Sequence, residues 1–107
     1  IESGKMRAIA ITSAQRVKGI DVPTLKELGI DVEIGNWRGV YGAAGITQAQ
    51  RDALTAMVVK ATQSKSWAAA IEKNNWTPAL LTGKAFDEFV DKDFSSLRAT
   101  MVRAGMV

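Results

Sequence analysis

The sequence predicts an α/β fold with few strands and about three to four helices, and three observations carry that expectation. Between Lys5 and Thr12 the chain is apolar at Met6, Ala8 and Ala10 and, at the alternate positions, at Ile9 and Ile11. Both faces of such a segment read as covered, the signature of a strand inside a parallel sheet. Ile30, Val32 and Ile34 alternate with Asp31 and Glu33, the period of a strand with one buried face. The second half of the chain then repeats apolar residues every three or four positions in three stretches, as amphipathic helices do.

Taken in order, the first strand runs into Thr12, Ser13, Ala14 and Gln15, at the C-terminal strand end where open α/β sheets bind ligands. Small hydroxyls at such a place also bond their own backbone in turns, and both readings stand. Val17 to Ile20 is a linker without strong pattern. Pro23 forces Val22 to be extended, and Thr24 with Glu27 has the spacing of a capping box, so a short helix starts near Thr24. Gly29 can end that helix in the left-handed conformation. The second strand continues past Gly35 into Trp37, Gly39 and Tyr41, where glycines interleaved with aromatics indicate a bulge, or a close approach of the backbone to a ligand.

Thr47 and Gln50 repeat the capping-box spacing at the head of a long helix. Its stripe, Leu54, Met57, Val58 and Ala61, is expected to be core and runs to about Gln63. Ser64 caps a shorter helix carrying Trp67, Ala70 and Ile71, which Asn74-Asn75 can stop in the left-handed conformation. Trp76 to Leu81 contains Pro78 and suits an edge strand or an extended connection. Thr82 opens the last helix, with Phe86, Phe89, Val90, Phe94, Leu97 and Met101 on one side and Gly105 at its end. Asp87 and Asp91 share a face and could be imagined as an acid pair or a metal site, but the charge gradient from Asp87 to Arg103 is read here as complementing the helix macrodipole.

Composition removes several functions. The 107 residues include no cysteine and no histidine, which leaves no thiolate, no cysteine metal site and no imidazole base. No catalysis, cofactor or metal is therefore expected. Apolar residues make up 47% of the chain, with no run long enough to span a membrane. The net charge of +3 is spread almost evenly, whereas nucleic-acid binders concentrate charge on one face, so no nucleic-acid partner is expected.

In their order and spacing, Gly4 to Arg16, Asp21 to Gly29, Trp37, Gly39 and Gly45 resemble the C-terminal third of the Bug family, the periplasmic solute-binding receptors of tripartite tricarboxylate transporters. The resemblance covers nearly the whole chain. Where the family usually has Ala-Pro-Ala-Gly-Thr-Pro, this chain has Gly42 to Thr47 without either proline. The resemblance implies the C-terminal part of a two-lobed type 2 periplasmic-binding-protein fold: residues 1–35 as the end of lobe two, and residues 36–107 as a crossover strand and C-terminal helices completing lobe one. Trp37 would lie near the hinge, or serve as an ordinary core aromatic.

The resemblance also implies capture of a small organic carboxylate in the periplasm for a secondary transporter. Such ligands are held largely by backbone amides and water, so the expected ligand-binding residues are Thr12, Ser13, Gly35, Trp37 and Gly39. The chain opens Ile1-Glu2-Ser3 without an initiator methionine and is expected to be a fragment whose unpaired strands lead it to form homo-oligomers. Membrane transporter subunits are the expected partners of the parent protein. A free-standing small α/β interaction module and a weak nucleic-acid binder are the alternative readings.

Overall fold

The computed structural model describes residues 1–107, and its contacts divide them into two compact units, Ile1–Gly39 and Val40–Val107. In the first unit extended segments meet at one parallel bridge, Ile11 with Thr24. The Ile11 N–H donates to the Pro23 carbonyl at 2.9 Å, and the Leu25 N–H donates to the Ile11 carbonyl at 2.9 Å. One residue on, the chain turns its polar groups the other way, and the Ile34 N–H donates to the Thr12 carbonyl at 3.0 Å. The segment Ile11–Thr12 thus lies between Thr24 and Ile34. Lys5 to Ala10 and Asp31 to Glu33 belong to no ladder, and the Val32 N–H donates to the Ile30 carbonyl at 2.8 Å, a tight turn at Asp31.

The α/β class, and with it the two-lobed periplasmic-binding-protein architecture that the resemblance implied, is overturned by this structure. Helix accounts for 43% of the chain, strand for 2%, and there is no sheet. The physical reason is that alternation marks which faces of a segment are apolar, while a strand also needs a neighbour for every second N–H and C=O. Here the two alternating segments touch only at Thr12 and Ile34, and Ile9, Ile30 and Ile34 remain exposed.

The expected short helix at Thr24 is a single helical turn. Its start is the capping box, with the Glu27 N–H donating to Thr24 Oγ1 at 3.1 Å and the Thr24 N–H donating to Glu27 Oε2 at 2.8 Å. Its end is a Schellman motif, in which Gly29 takes φ 82° while the Ile30 N–H donates to the Leu25 carbonyl and the Gly29 N–H to the Lys26 carbonyl. Start and stop signals lie so close together that no further turn fits between them. Thr24 and Val22 are the two buried residues of the chain, 1% and 8% exposed.

The second unit is helical: α1 is Gln48–Thr62, α2 is Lys65–Asn74 and α3 is Gly83–Arg103. The α1 capping box forms in both directions between Thr47 and Gln50, and the Ser64 hydroxyl accepts from the Trp67 N–H at 3.1 Å to open α2. Asn75 at φ 53° and Gly105 at φ 68° end α2 and α3, each in a Schellman motif closed by Trp76 N–H to Ile71 O and by Met106 N–H to Met101 O. Trp76 to Leu81 is a connection without regular secondary structure. At Thr82 the expected side-chain cap is absent: Gly83 enters α3 at φ 56° and the Thr82 hydroxyl makes no bond to the first turn.

The helices touch sparingly. α1 and α2 pack against each other, Trp67 meets Trp76 with ring centres 6.2 Å apart, and Tyr41 meets Phe86 at 5.7 Å. None of the three helices contains a buried residue, so the stripes expected to form a core lie partly or wholly open. The macrodipole account of α3 also needs correction, because its first turn holds no acidic residue and the dipole acts within that turn.

Candidate ligand-binding site

The five residues expected at a ligand all belong to the unit Ile1–Gly39, and the hydrogen bonds between Thr12 and Ile34 tie the segment of Thr12 and Ser13 to the one that leads into Gly35. Thr12 is fixed twice to the same residue. Its carbonyl accepts from the Ile34 N–H at 3.0 Å, and its hydroxyl donates to the Ile34 carbonyl at 2.8 Å. Ser13 and Gly35 are the residues that follow the two clasped ones in sequence. Trp37, half-buried, and Gly39, exposed, follow two and four residues after Gly35.

The chemistry of the hydroxyls differs from the sequence reading. An anion needs donors, and both hydroxyl protons are already committed to carbonyls: Thr12 to Ile34 and Ser13 Oγ to Gln15 O at 2.7 Å. Thr12 is a positioning residue in this arrangement. The donors left over are main-chain amides, since the N–H groups of Ser13, Ala14 and Gln15 make no hydrogen bond within the chain. Gly35 has ordinary φ and open space where a Cβ would stand, so nothing within this chain demands glycine there.

One cluster escaped the sequence reading. Arg16, just beyond the amide run, reaches across to Glu27, with Nε 2.9 and 3.1 Å from the two carboxylate oxygens, and its Nη1 lies 3.2 Å from Asp21 Oδ1. Glu27 is therefore shared between the guanidinium and the Thr24 N–H. The Thr24 amide first, and Arg16 second, hold its carboxyl below the usual range. Lys26 pairs with Glu33 at 3.0 Å, which raises the lysine's pKa through that hydrogen bond and the charge behind it. The spacing of Thr24 and Glu27 signals the capping half of this cluster. The Arg16 half joins residues eleven apart and leaves no local mark.

No three acidic side chains gather closely enough to hold a metal ion, and no helix is long and apolar enough to cross a membrane. Asp87, half of the imagined acid pair, faces Arg51 at 4.0 Å. Compared with known proteins, the chain matches no family model, no curated protein and no solved structure.

Proposed function

We propose that this chain contributes to an extracytoplasmic receptor that captures a small carboxylate for a tripartite tricarboxylate-type transporter, binding without catalysis. The reading rests on the ordered resemblance of Gly4–Arg16, Asp21–Gly29, Trp37, Gly39 and Gly45, and it places the protein in the periplasm beside transporter subunits. One structural observation supports it most directly: Thr12 is clasped to Ile34 by two hydrogen bonds, and the amides of Ser13, Ala14 and Gln15 that follow it make no hydrogen bond in the chain. Carboxylate oxygens accept well from such amides, and charge-assisted bonds of this kind are the stronger ones.

Titration calorimetry of the protein against mono-, di- and tricarboxylates tests the proposal. Binding of at least one is expected, with stabilisation of about 2.7 kcal/mol at a hundredfold excess over the dissociation constant. Thr12→Val, which removes the hydroxyl that clasps Ile34, is expected to weaken binding while sparing the helices. Indifference to every carboxylate, with a response to amines or sugars instead, overturns the reading.

A further inference from the structure

We propose that α3 is a self-association surface, pairing antiparallel with α3 of a second copy of this chain. The first observation is an open apolar stripe: Phe94 is 67%, Leu97 53% and Met101 38% exposed, at the i, i+3, i+7 spacing by which a helix seats in a partner groove. The second is the segregation of charge along the same helix. Gly83–Asp93 carries Asp87, Glu88, Asp91 and Asp93 against Lys84 and Lys92, whereas Phe94–Val107 carries Arg98 and Arg103 and no acid. The macrodipole does not account for this pattern, because the acids lie beyond the first turn and the field of the terminus fades within it.

An antiparallel pair turns that pattern into complementarity. Stepping 100° per residue places Asp87, Asp91 and Arg98 along one flank of the stripe. Arg51 occupies Asp87, and Asp91 and Arg98 are exposed and ion-paired to nothing in the chain. Two turns separate them, too far for a pair within one helix. A two-fold axis passing between Phe94 and Ser95 sets Asp91 of each copy level with Arg98 of the other, and in antiparallel pairs like flanks face each other. Two identical Asp91–Arg98 pairs then lie along one edge of the stripe formed by Val90, Phe94, Leu97 and Met101. A parallel pair would align acid with acid. Charge complementarity therefore favours a second copy of this chain as the partner.

Sedimentation of the full chain at rising concentration is expected to show a single-chain mass giving way to twice that mass. Asp91→Arg and Arg98→Asp, each with helix content checked by circular dichroism, are each expected to abolish the larger species. Mixing these two variants is expected to restore it, as is combining both changes in one chain. A single-chain mass at every concentration overturns the proposal. So does association that neither charge change disturbs, or that Ile9→Lys abolishes instead, since that would place the contact in the extended segments. The carboxylate reading is read out by calorimetry on residues outside α3, so the two stand or fall separately.

Discussion

Ile1–Gly39 and Val40–Val107 keep their conformations by opposite means. The first has one bridge and one helical turn, yet it contains the two buried residues of the chain, Val22 and Thr24, and a carboxylate shared between Arg16 and the Thr24 amide. The second is mostly regular helix with four well-formed ends, at Thr47, Ser64, Asn75 and Gly105, yet none of its residues is buried. Regularity and burial come from different sources. Helix ends are set by bonds between residues a few positions apart, whereas burial requires segments that are distant in sequence to meet. In the first unit a few such meetings occur without regular structure, and in the second the regular structure forms with few meetings.

The largest expected effect sharpens that contrast. Val22→Ala removes two carbon atoms from a buried position and is expected to cost about 2 kcal/mol, read as faster amide exchange at Leu25 and Ile11. Leu97→Ala removes more carbon from an exposed position and is expected to change helix stability far less, measured by circular dichroism under dilute conditions. Equal costs at the two sites would erase the distinction between the units.

A smaller effect separates two glycines of the first unit. Gly29→Ala forces a Cβ into the left-handed region at φ 82° and is expected to destabilise the Thr24 turn by about 1 kcal/mol. Gly35→Ala places its Cβ in open space at ordinary φ and is expected to be neutral or slightly stabilising through the unfolded chain. Chemical denaturation followed by the Thr24 amide resonance distinguishes them. A Gly35→Ala loss as large as that of Gly29→Ala would mean that the backbone near Thr12 is more confined than described.

The smallest effect is electrostatic. Glu27 has a folded pKa below its ordinary value, so its contribution is fully present above the ordinary carboxylate range, about pH 4.3. That contribution is lost as pH falls through the depressed value, when protonation releases Arg16 and weakens the bond to the Thr24 amide. An acid titration is therefore expected to shift the Thr24 amide resonance at a pH below the ordinary carboxylate range. A shift of that resonance centred in the ordinary carboxylate range would count against the shared carboxylate.

How much was legible in the sequence follows the same division. Thr47 with Gln50, Thr24 with Glu27, Asn75 and Gly105 announce their roles because each acts on backbone groups within about one turn. The alternation of Lys5–Thr12 and Ile30–Ile34 is equally plain, but it encodes a preference for covered faces and not the presence of a covering partner. The helix stripes mislead for the same reason: Leu54 and Phe94 sit where a core would want them and remain exposed. At the candidate site, Thr12 and Ser13 were found as polar residues at a segment end. The direction of their hydroxyl protons was not, since it depends on the carbonyls of Ile34 and Gln15 lying within reach.

The three Schellman endings, at Gly29, Asn75 and Gly105, also set a clock. Each closes between residues no more than five positions apart, and helical turns of this kind relax within about a microsecond. The most distant hydrogen bond described here, Thr12 to Ile34, spans 22 residues, a loop short enough to add little delay. Chains dominated by such local contacts fold on the microsecond-to-millisecond scale, and with few long-range contacts to break they also open quickly. The chain is therefore expected to exchange its amides and to meet proteases as a fast, shallow equilibrium, one that a surface covering what the helices leave bare would slow.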